Sequence, residues 1–549
     1  MDNKRTFFVW LILLLSAFST LFITPAQSQT HAQVGASAAP LVSAEWLKAN
    51  ISRDDVIIID ASSPQRYEVK HIPGAIKANV FMLGSRDVSP AQMEQLVRSW
   101  GVNLGKKIVL YDEGATYMAT SLFFELYYHG FAVDNVFILN GGLARWEATG
   151  GAVTKAATPS PTVGTIVHMG LRETARARHA EFISASGAPQ KSVLVEGLDA
   201  QYYYGGAKFF DRAGHVPHAV LMPSDDFFNA DKTFKSNSEI QRMLNHIGIT
   251  PNRQVITYCG GGVAASLSYF AAKFLLGYPD VKLYKGSQRE WLRDDRGLPF
   301  WTFAEPNRLR DRQWVNGWNS DMMRMMEASH LNIIDSRAAD IRARGTIPHS
   351  LPIPAANLKL NVTSPQKLAD TLGAAGLVQE HEVVILSDGG ITPDAALTML
   401  LLENVGHAKV SIINGAFDDW ALAGLPTAKA AAAPIVRAQP YVARPRNDIF
   451  ITSDKVTKPT TTPRIFLVAG KLNPSAKPAG NVIEIPYTDF IDKQGNPKPA
   501  NDIWNLLAKA GVSRYAEIIC VADELGEAAV SYVVLKMMGY ADVKVMQPS

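Results

Sequence analysis

One multi-part pattern occurs three times along this 549-residue chain, and it constrains the fold more than any other feature. Repetition of this kind marks chained copies of one structural unit. Each copy opens with a β-branched run that ends in an acid: Val56 to Asp60, Val193 to Glu196, and Asn332 to Asp335. A proline turn follows, at His71-Ile-Pro-Gly-Ala75, His215-Val-Pro-His-Ala219 and Thr346-Ile-Pro-His-Ser350. A second apolar run then stops at one residue that differs between copies: Asp112, Cys259 and Asp388. A glycine-containing turn, a helical stretch and a third short strand lead to a tryptophan. Trp146 lies 34 residues after Asp112, Trp291 lies 32 after Cys259, and Trp420 lies 32 after Asp388. Short apolar strands alternating with helices belong in a parallel sheet covered by helices on both faces.

A weaker fourth copy closes the chain. Arg464 to Val468 reads as its first strand, Glu517 to Ala522 as its central strand, Gly526 to Met538 as its helix and Asp542 to Met546 as its last strand. The expected organisation is therefore α/β, with tandem units at 40–155, 185–303, 308–428 and, eroded, 460–549. Residues 156–190, rich in Ala, Pro, Ser and Arg, and 429–463, with an Ala run, repeated Pro and a Thr cluster, read as connectors. The join from Phe303 to Arg312 is short and charged, so the second and third units are expected to pack together.

Composition agrees. At roughly 100–200 residues per domain the length predicts about three to five domains. Lys and Arg number 54 against 51 Asp and Glu, a formal charge of +3, which argues against nucleic-acid binding. Two cysteines, Cys259 and Cys520, exclude a disulfide-stapled scaffold and a thiolate-rich metal site. The N-terminus carries Lys4 and Arg5, then an apolar run from Phe7 to Ile23, then small residues at Ala26 and Ser28. That is the plan of a secretory leader covering residues 1–28, with an uncleaved anchor as the alternative. The expected location is an exported compartment such as the bacterial periplasm, with no other membrane segment.

The chemistry centres on Cys259. It follows a strand and precedes Gly260-Gly261-Gly262-Val263-Ala264, which opens a helix expected to run to Leu276 and stop at Gly277. Consecutive glycines let several N–H groups converge on one atom. Those groups and the positive end of the helix are expected to lower the thiol pKa and to suit a terminal persulfide. The competing reading, a buried inert cysteine, fits Cys520 inside its strand better. A Cys259–Cys520 disulfide would need two separate sheets within bridging distance.

With these motifs in hand, the repeat resembles the rhodanese family of thiosulfate and 3-mercaptopyruvate sulfurtransferases. That family places a cysteine at the head of a six-residue loop, here Cys259 to Ala264. The resemblance covers about residues 45–430 well and 460–549 poorly. It implies that Cys259 takes a sulfane sulfur from a small donor, holds it as a persulfide and passes it to a thiophilic acceptor such as cyanide or a thiol, a protein thiol included. No cofactor or metal is implied. Asp112 and Asp388 occupy the cysteine position in the first and third units, where a carboxylate cannot carry sulfur and sits in an N–H cradle only as a fixed anion. Aligning Ser531 to Lys536 on Ser268 to Lys273 puts Ala522 at the cysteine position of the fourth.

In the family, a loop with Arg or Lys after the cysteine suits thiosulfate, and a Cys-Gly-Ser/Thr-Gly-Val loop suits 3-mercaptopyruvate. Cys259-Gly-Gly-Gly-Val resembles the second type but has Gly261 in place of the hydroxyl. Arg66 and Tyr67 of the first unit correspond to Tyr202 and Tyr203 in the second, so an arginine is missing there. Lys208, Arg212 and Arg289 are the cations nearby in sequence, and Arg212 is the candidate anion ligand. The expected site is therefore Cys259 with Gly260, Gly261, Gly262, Val263, Ala264 and Arg212, and His215 is expected to be structural. A phosphatase of similar plan would need an arginine where Ala265 stands, and a P-loop would need Gly-Lys-Ser/Thr. A non-catalytic persulfide or chalcogen carrier is the alternative of a different class.

Overall fold

The computed structural model describes residues 40–85, 87–168, 170–429 and 436–547. The leader read at residues 1–28 lies outside them. Within the described residues, four parallel sheets follow one another along the chain. In the first, Val56–Asp60 lies beside Lys107–Tyr111, with Ile76–Lys77 outside the former and Val136–Leu139 and Leu41–Val42 beyond the latter. The third and fourth sheets repeat this five-strand order, with Leu331–Asp335 beside Glu382–Leu386 and Arg464–Val468 beside Glu517–Val521. The second, built on Ser192–Glu196 beside Gln254–Tyr258, has four strands. Its fifth position is reduced to a single parallel bridge between Arg176 and Leu283. The α/β class expected from the alternating runs is the observed one.

This order has a consequence for function. The two central strands are parallel neighbours, so their carboxyl ends emerge together. Glu196 pairs with Tyr258, which sets the buried acid directly beside the start of the Cys259 loop. Crevices at the carboxyl ends of parallel strands are where such folds place ligands.

The connectors are more structured than their composition suggests. Arg176 and helix His179–Ser186 join the second unit, Leu309–Arg310 edges the third sheet, and Phe450–Ile451 edges the fourth. A two-residue edge strand carries no hydrophobic run long enough to read in advance.

The units pack in pairs. Helix Met118–Tyr128 of the first lies against the helix after Cys259, with Phe123 5.1 Å from Phe270 and 4.8 Å from Phe274, ring centre to ring centre. One continuous core spans the first and second units. A second spans the third and fourth through helices Pro393–Asn404 and Leu525–Met537, and it also takes in Tyr203, Tyr204 and Leu221 of the second unit. Tyr204 stacks on Trp504 at 5.4 Å and donates to the Met538 carbonyl at 2.8 Å. The second unit thus packs on the fourth as well as meeting the third. The short join touches both, through the Glu305 N–H to the Met537 carbonyl and the Arg308–Glu403 ion pair at 2.6 Å.

Candidate functional site

Cys259 follows the last residue of strand Gln254–Tyr258. Gly262 is the turn that makes the loop: its φ is +91°, and a Cβ there would lie 3.0 Å from Lys285 atoms. That conformation aims the Gly262 N–H at Cys259 Sγ, at 3.2 Å. The N–H groups of Gly261 and Ala265 also act on the thiol. The helix then starts at Ala265, and its last five residues, Ala271–Leu275, form a π turn before Gly277 at φ +69°.

The cradle is present, but its electrostatic outcome differs from the expectation. Cys259 is 2 % exposed. Burial pushes its pKa above the ordinary thiol value, and the Glu196 carboxylate adds to this; the N–H groups of Ala265, Gly261 and Gly262 only partly counter it. Desolvation disfavours the charged form, and here it outweighs the hydrogen bonds. The resting group is a protonated thiol with thiolate-stabilising donors already in place.

Two supports went unread in the sequence. The Cys259 N–H donates to Ser287 Oγ at 3.1 Å, and Ser287 Oγ donates to the Tyr284 carbonyl at 2.7 Å. Ser287 is fully buried with φ +53°, a left-handed conformation that costs a non-glycine residue energy. The signal was available in the first unit, whose corresponding residue is Gly142 at φ +54°. The second support is Glu196. It is fully buried, accepts from Gln288 Nε2 at 2.8 Å and from the Leu198 N–H at 3.2 Å, and its pKa is pushed up to about 7 by burial. Asp335 of the third unit, in contrast, is held by Arg337 at 2.7 Å.

The other expected residues divide. Gly260 packs under Phe209, where a Cβ would come within 2.6 Å of the ring. Val263 and Ala264 are buried in the core, their carbonyls accepting from Ser266 and Leu267. Arg212 is a correction. Its guanidinium donates to the carbonyls of Leu298, Trp291 and Arg293 at 2.5, 2.5 and 2.9 Å, and it lies over Phe300 at 5.1 Å. It staples the 291–300 segment, and this geometry does not support anion binding at Cys259. His215 is structural: fully buried, stacked on Tyr203 at 3.5 Å, hydrogen-bonded through Nδ1 to the Tyr203 carbonyl, and lowered to about 3 by burial. Tyr67 stacks on His71 in the same way, which fixes the correspondence of Tyr67 with Tyr203. Cys520 is buried within its strand and, like Cys259, is a free thiol.

The equivalent loops are closed by different means. In the first unit the Asp112 carboxylate accepts from the Gly114 and Ala119 N–H groups at 2.9 and 3.0 Å, filling its own cradle. In the third, the N–H groups of Gly390 and Ile391 donate to the carbonyls of Gln494 and Gly495 from the fourth unit, at 3.0 and 2.6 Å. Asp388 beside them is left exposed, next to a 350 Å³ cleft that also touches Tyr487 and Asp492. Of these three loops, the one at Cys259 presents its N–H groups to a thiol.

Repeated parallel sheets with one thiol at the carboxyl end of a central strand, cradled by a glycine loop, define an α/β protein built for cysteine chemistry. The rhodanese-like domain family matches residues 43–149, 187–294 and 319–423, and the chain belongs to that family. A sulfur carrier protein of Thermus thermophilus is 29 % identical over 46 % of this chain and 93 % of its own. A probable 3-mercaptopyruvate sulfurtransferase of Pseudomonas aeruginosa is 28 % identical over 47 % of this chain and 97 % of its own. Among solved structures, an anaerobic ergothioneine biosynthesis enzyme from Chlorobium limicola is 25 % identical, covering 48 % of this chain and 70 % of its own with a TM-score of 0.43. The curated relatives are named as sulfurtransferases and sulfur carriers.

Proposed function

We propose that this protein is a sulfurtransferase that moves a sulfane sulfur from thiosulfate, or from a similar donor such as 3-mercaptopyruvate, through a Cys259 persulfide to a thiophilic acceptor. The observation that carries this reading is the convergence of the Gly261, Gly262 and Ala265 N–H groups on the Cys259 sulfur. In the first half-reaction the Cys259 thiol gives its proton to water, and the thiolate attacks the outer sulfur of thiosulfate. The S–S bond of the donor breaks and sulfite leaves with its electron pair. In the second, the acceptor attacks the outer sulfur of the persulfide, and the Cys259 thiolate departs. The N–H groups hold negative charge on sulfur at both stages. The first, third and fourth units carry no thiol at the matching positions, Asp112, Asp388 and Ala522, and serve as walls and supports. The leader-like N-terminus goes with work in an exported compartment.

Mass spectrometry after donor treatment tests the reading. The expected result is one added sulfur on Cys259, no turnover in Cys259→Ala and retained turnover in Cys520→Ala. Full turnover by Cys259→Ala would overturn it. Sulfur uptake without release to cyanide or any small thiol would favour the carrier function instead.

A further inference from the structure

Residues 285–289 form a wall behind the Cys259 cradle and hold the loop at three points. The Cys259 N–H donates to Ser287 Oγ at 3.1 Å. The Gln288 N–H donates to the Cys259 carbonyl and the Arg289 N–H to the Gly260 carbonyl, both at 2.9 Å. Lys285 heads this wall and lies against Gly262, so closely that a Cβ on Gly262 would come within 3.0 Å of the Lys285 Cα and carbonyl oxygen. Gly262 is the residue whose N–H meets Cys259 Sγ. Ser287, two places on, is held at φ +53°, and strain of that kind persists only where the surroundings over-determine it.

The wall is tied down by a charge cluster that lies mostly outside the second unit. The Lys285 side chain is buried. Its ammonium reaches the Glu125 carboxylate and the Leu83 carbonyl of the first unit, both at 3.1 Å, with Asp87 at 3.6 Å. Arg176 of the connector meets the same two acids, Glu125 at 3.2 Å and Asp87 at 2.8 Å, and lies over the Tyr128 ring at 3.6 Å. Glu125 is buried as well. Charges taken out of water are tolerated only where well-placed partners hold them, so this cluster fixes the position of the Lys285 stem and of the backbone it leaves. The residues six places before Trp146 and Trp420 are Asn140 and Asn414, where Lys285 stands six before Trp291. Of these three loops, the one with the thiol has the charged anchor.

Resting on the persulfide reading above, we propose that Lys285 is a positioning residue for sulfur transfer: anchored to Glu125 and Leu83 of the first unit, it fixes the 285–289 wall and thereby sets the Gly262 N–H against the Cys259 sulfur. The leading influences on the thiol are burial, the N–H groups of its own loop and Glu196, so Lys285 acts through geometry and not as a charge beside the sulfur. The first unit, which has no thiol, takes part in this way in the chemistry of the second.

The test uses the full chain carrying Lys285→Met, in which Glu125 keeps Arg176 as a partner, or Lys285→Arg, which keeps the charge. Two quantities are read: the rate of Cys259 persulfide formation from thiosulfate, by mass, and the midpoint of thiolate absorbance, each protein taken against the same protein with Cys259→Ala. Lys285→Met is expected to load roughly tenfold more slowly or worse. Its thiolate midpoint should rise, because a donor that favours the thiolate is displaced. Lys285→Arg should recover part of both. Glu125→Gln loosens the anchor from its other end and should shift both the same way, so the test stands where one variant folds poorly. Phe123→Ala weakens the same seam away from the loop and should keep the wild-type midpoint. Wild-type loading and midpoint in Lys285→Met overturn the proposal. An equal shift in Phe123→Ala also overturns it, by making Lys285 one seam contact among others. If the wild type takes up no sulfur, the persulfide reading falls, and the thiolate midpoint still decides whether Lys285 sets the cradle.

Discussion

At the scale of single residues, Cys259 and Glu196 form one electrostatic unit. The thiol is raised by burial and by Glu196, and Glu196 is itself raised to about 7 by burial. Ultraviolet thiolate absorbance, taken as the difference between wild type and Cys259→Ala, should therefore rise with pH through a midpoint above the free-thiol value of about 8.5; a midpoint below it would show that the N–H cradle outweighs burial. Glu196 also links stability to pH. Its folded pKa lies above the ordinary 4.5, so its contribution is fully present below pH 4.5 and is lost as pH rises through 7. A shift of that size is worth about 3 kcal/mol. Glu196→Gln removes the titration. Urea unfolding at about pH 4.5 and about pH 8 should show the variant gaining on wild type by that order at the higher pH. A constant difference would mean that Glu196 stays ionised in the fold. Cys259 and its glycines were legible in the sequence because their types are rare and contiguous. Ser287 was not, because its role arises from a contact between distant segments, its Oγ accepting from the Cys259 N–H. Arg212 misled for the same reason: its nearness to the His215 turn in sequence says nothing of which carbonyls its guanidinium meets.

At the scale of elements, the repeated strand–loop–helix was readable because each β-branched run is buried on both faces, while the edge strands at Leu309–Arg310 and Phe450–Ile451 are too short to leave a pattern. What separates the loops is how their N–H groups are occupied: by Cys259 in the second unit, by Asp112 in the first and by the carbonyls of Gln494 and Gly495 in the third. The Gly262 turn is the sensitive point. An alanine there would be strained at φ +91° and pressed to 3.0 Å from Lys285. The cost is about 1–3 kcal/mol, and the N–H that meets Cys259 Sγ would turn away. Gly262→Ala is expected to lose persulfide formation while the far-UV circular dichroism stays that of the wild type. Gly261→Ala, at a position where a Cβ meets nothing within 4 Å, should keep most of it. Equal losses in the two variants would deny the turn its special role.

At the scale of the whole molecule, the four sheets are bound as two pairs, and each pair owns one cysteine. Cys259 lies in the core shared by the first and second units, and Cys520 lies in the core shared by the third and fourth. Both are nearly inaccessible, at 2 % and 0 % exposure, so each reports the opening of its own pair when alkylated in urea. Phe123, on the first unit's helix, is 1 % exposed and meets Phe270 and Phe274 of the second. Truncating it leaves a cavity on the seam and costs about 3–5 kcal/mol. If the two units unfold as one cooperative body, Phe123→Ala lowers the urea midpoint for Cys259 labelling although the substitution lies in a unit with no thiol. The Cys520 midpoint should move less, because Phe123 lies in the core shared by the first two units, and the pairs meet elsewhere, with Tyr204 on Trp504 and the Tyr515 hydroxyl donating to Asp226 at 2.6 Å. An unmoved Cys259 midpoint would mean that the first unit opens alone. Equal movement of both would mean that the contacts between the pairs fuse all four sheets into one folding unit, with sulfur chemistry in the second sensitive to damage in any of them.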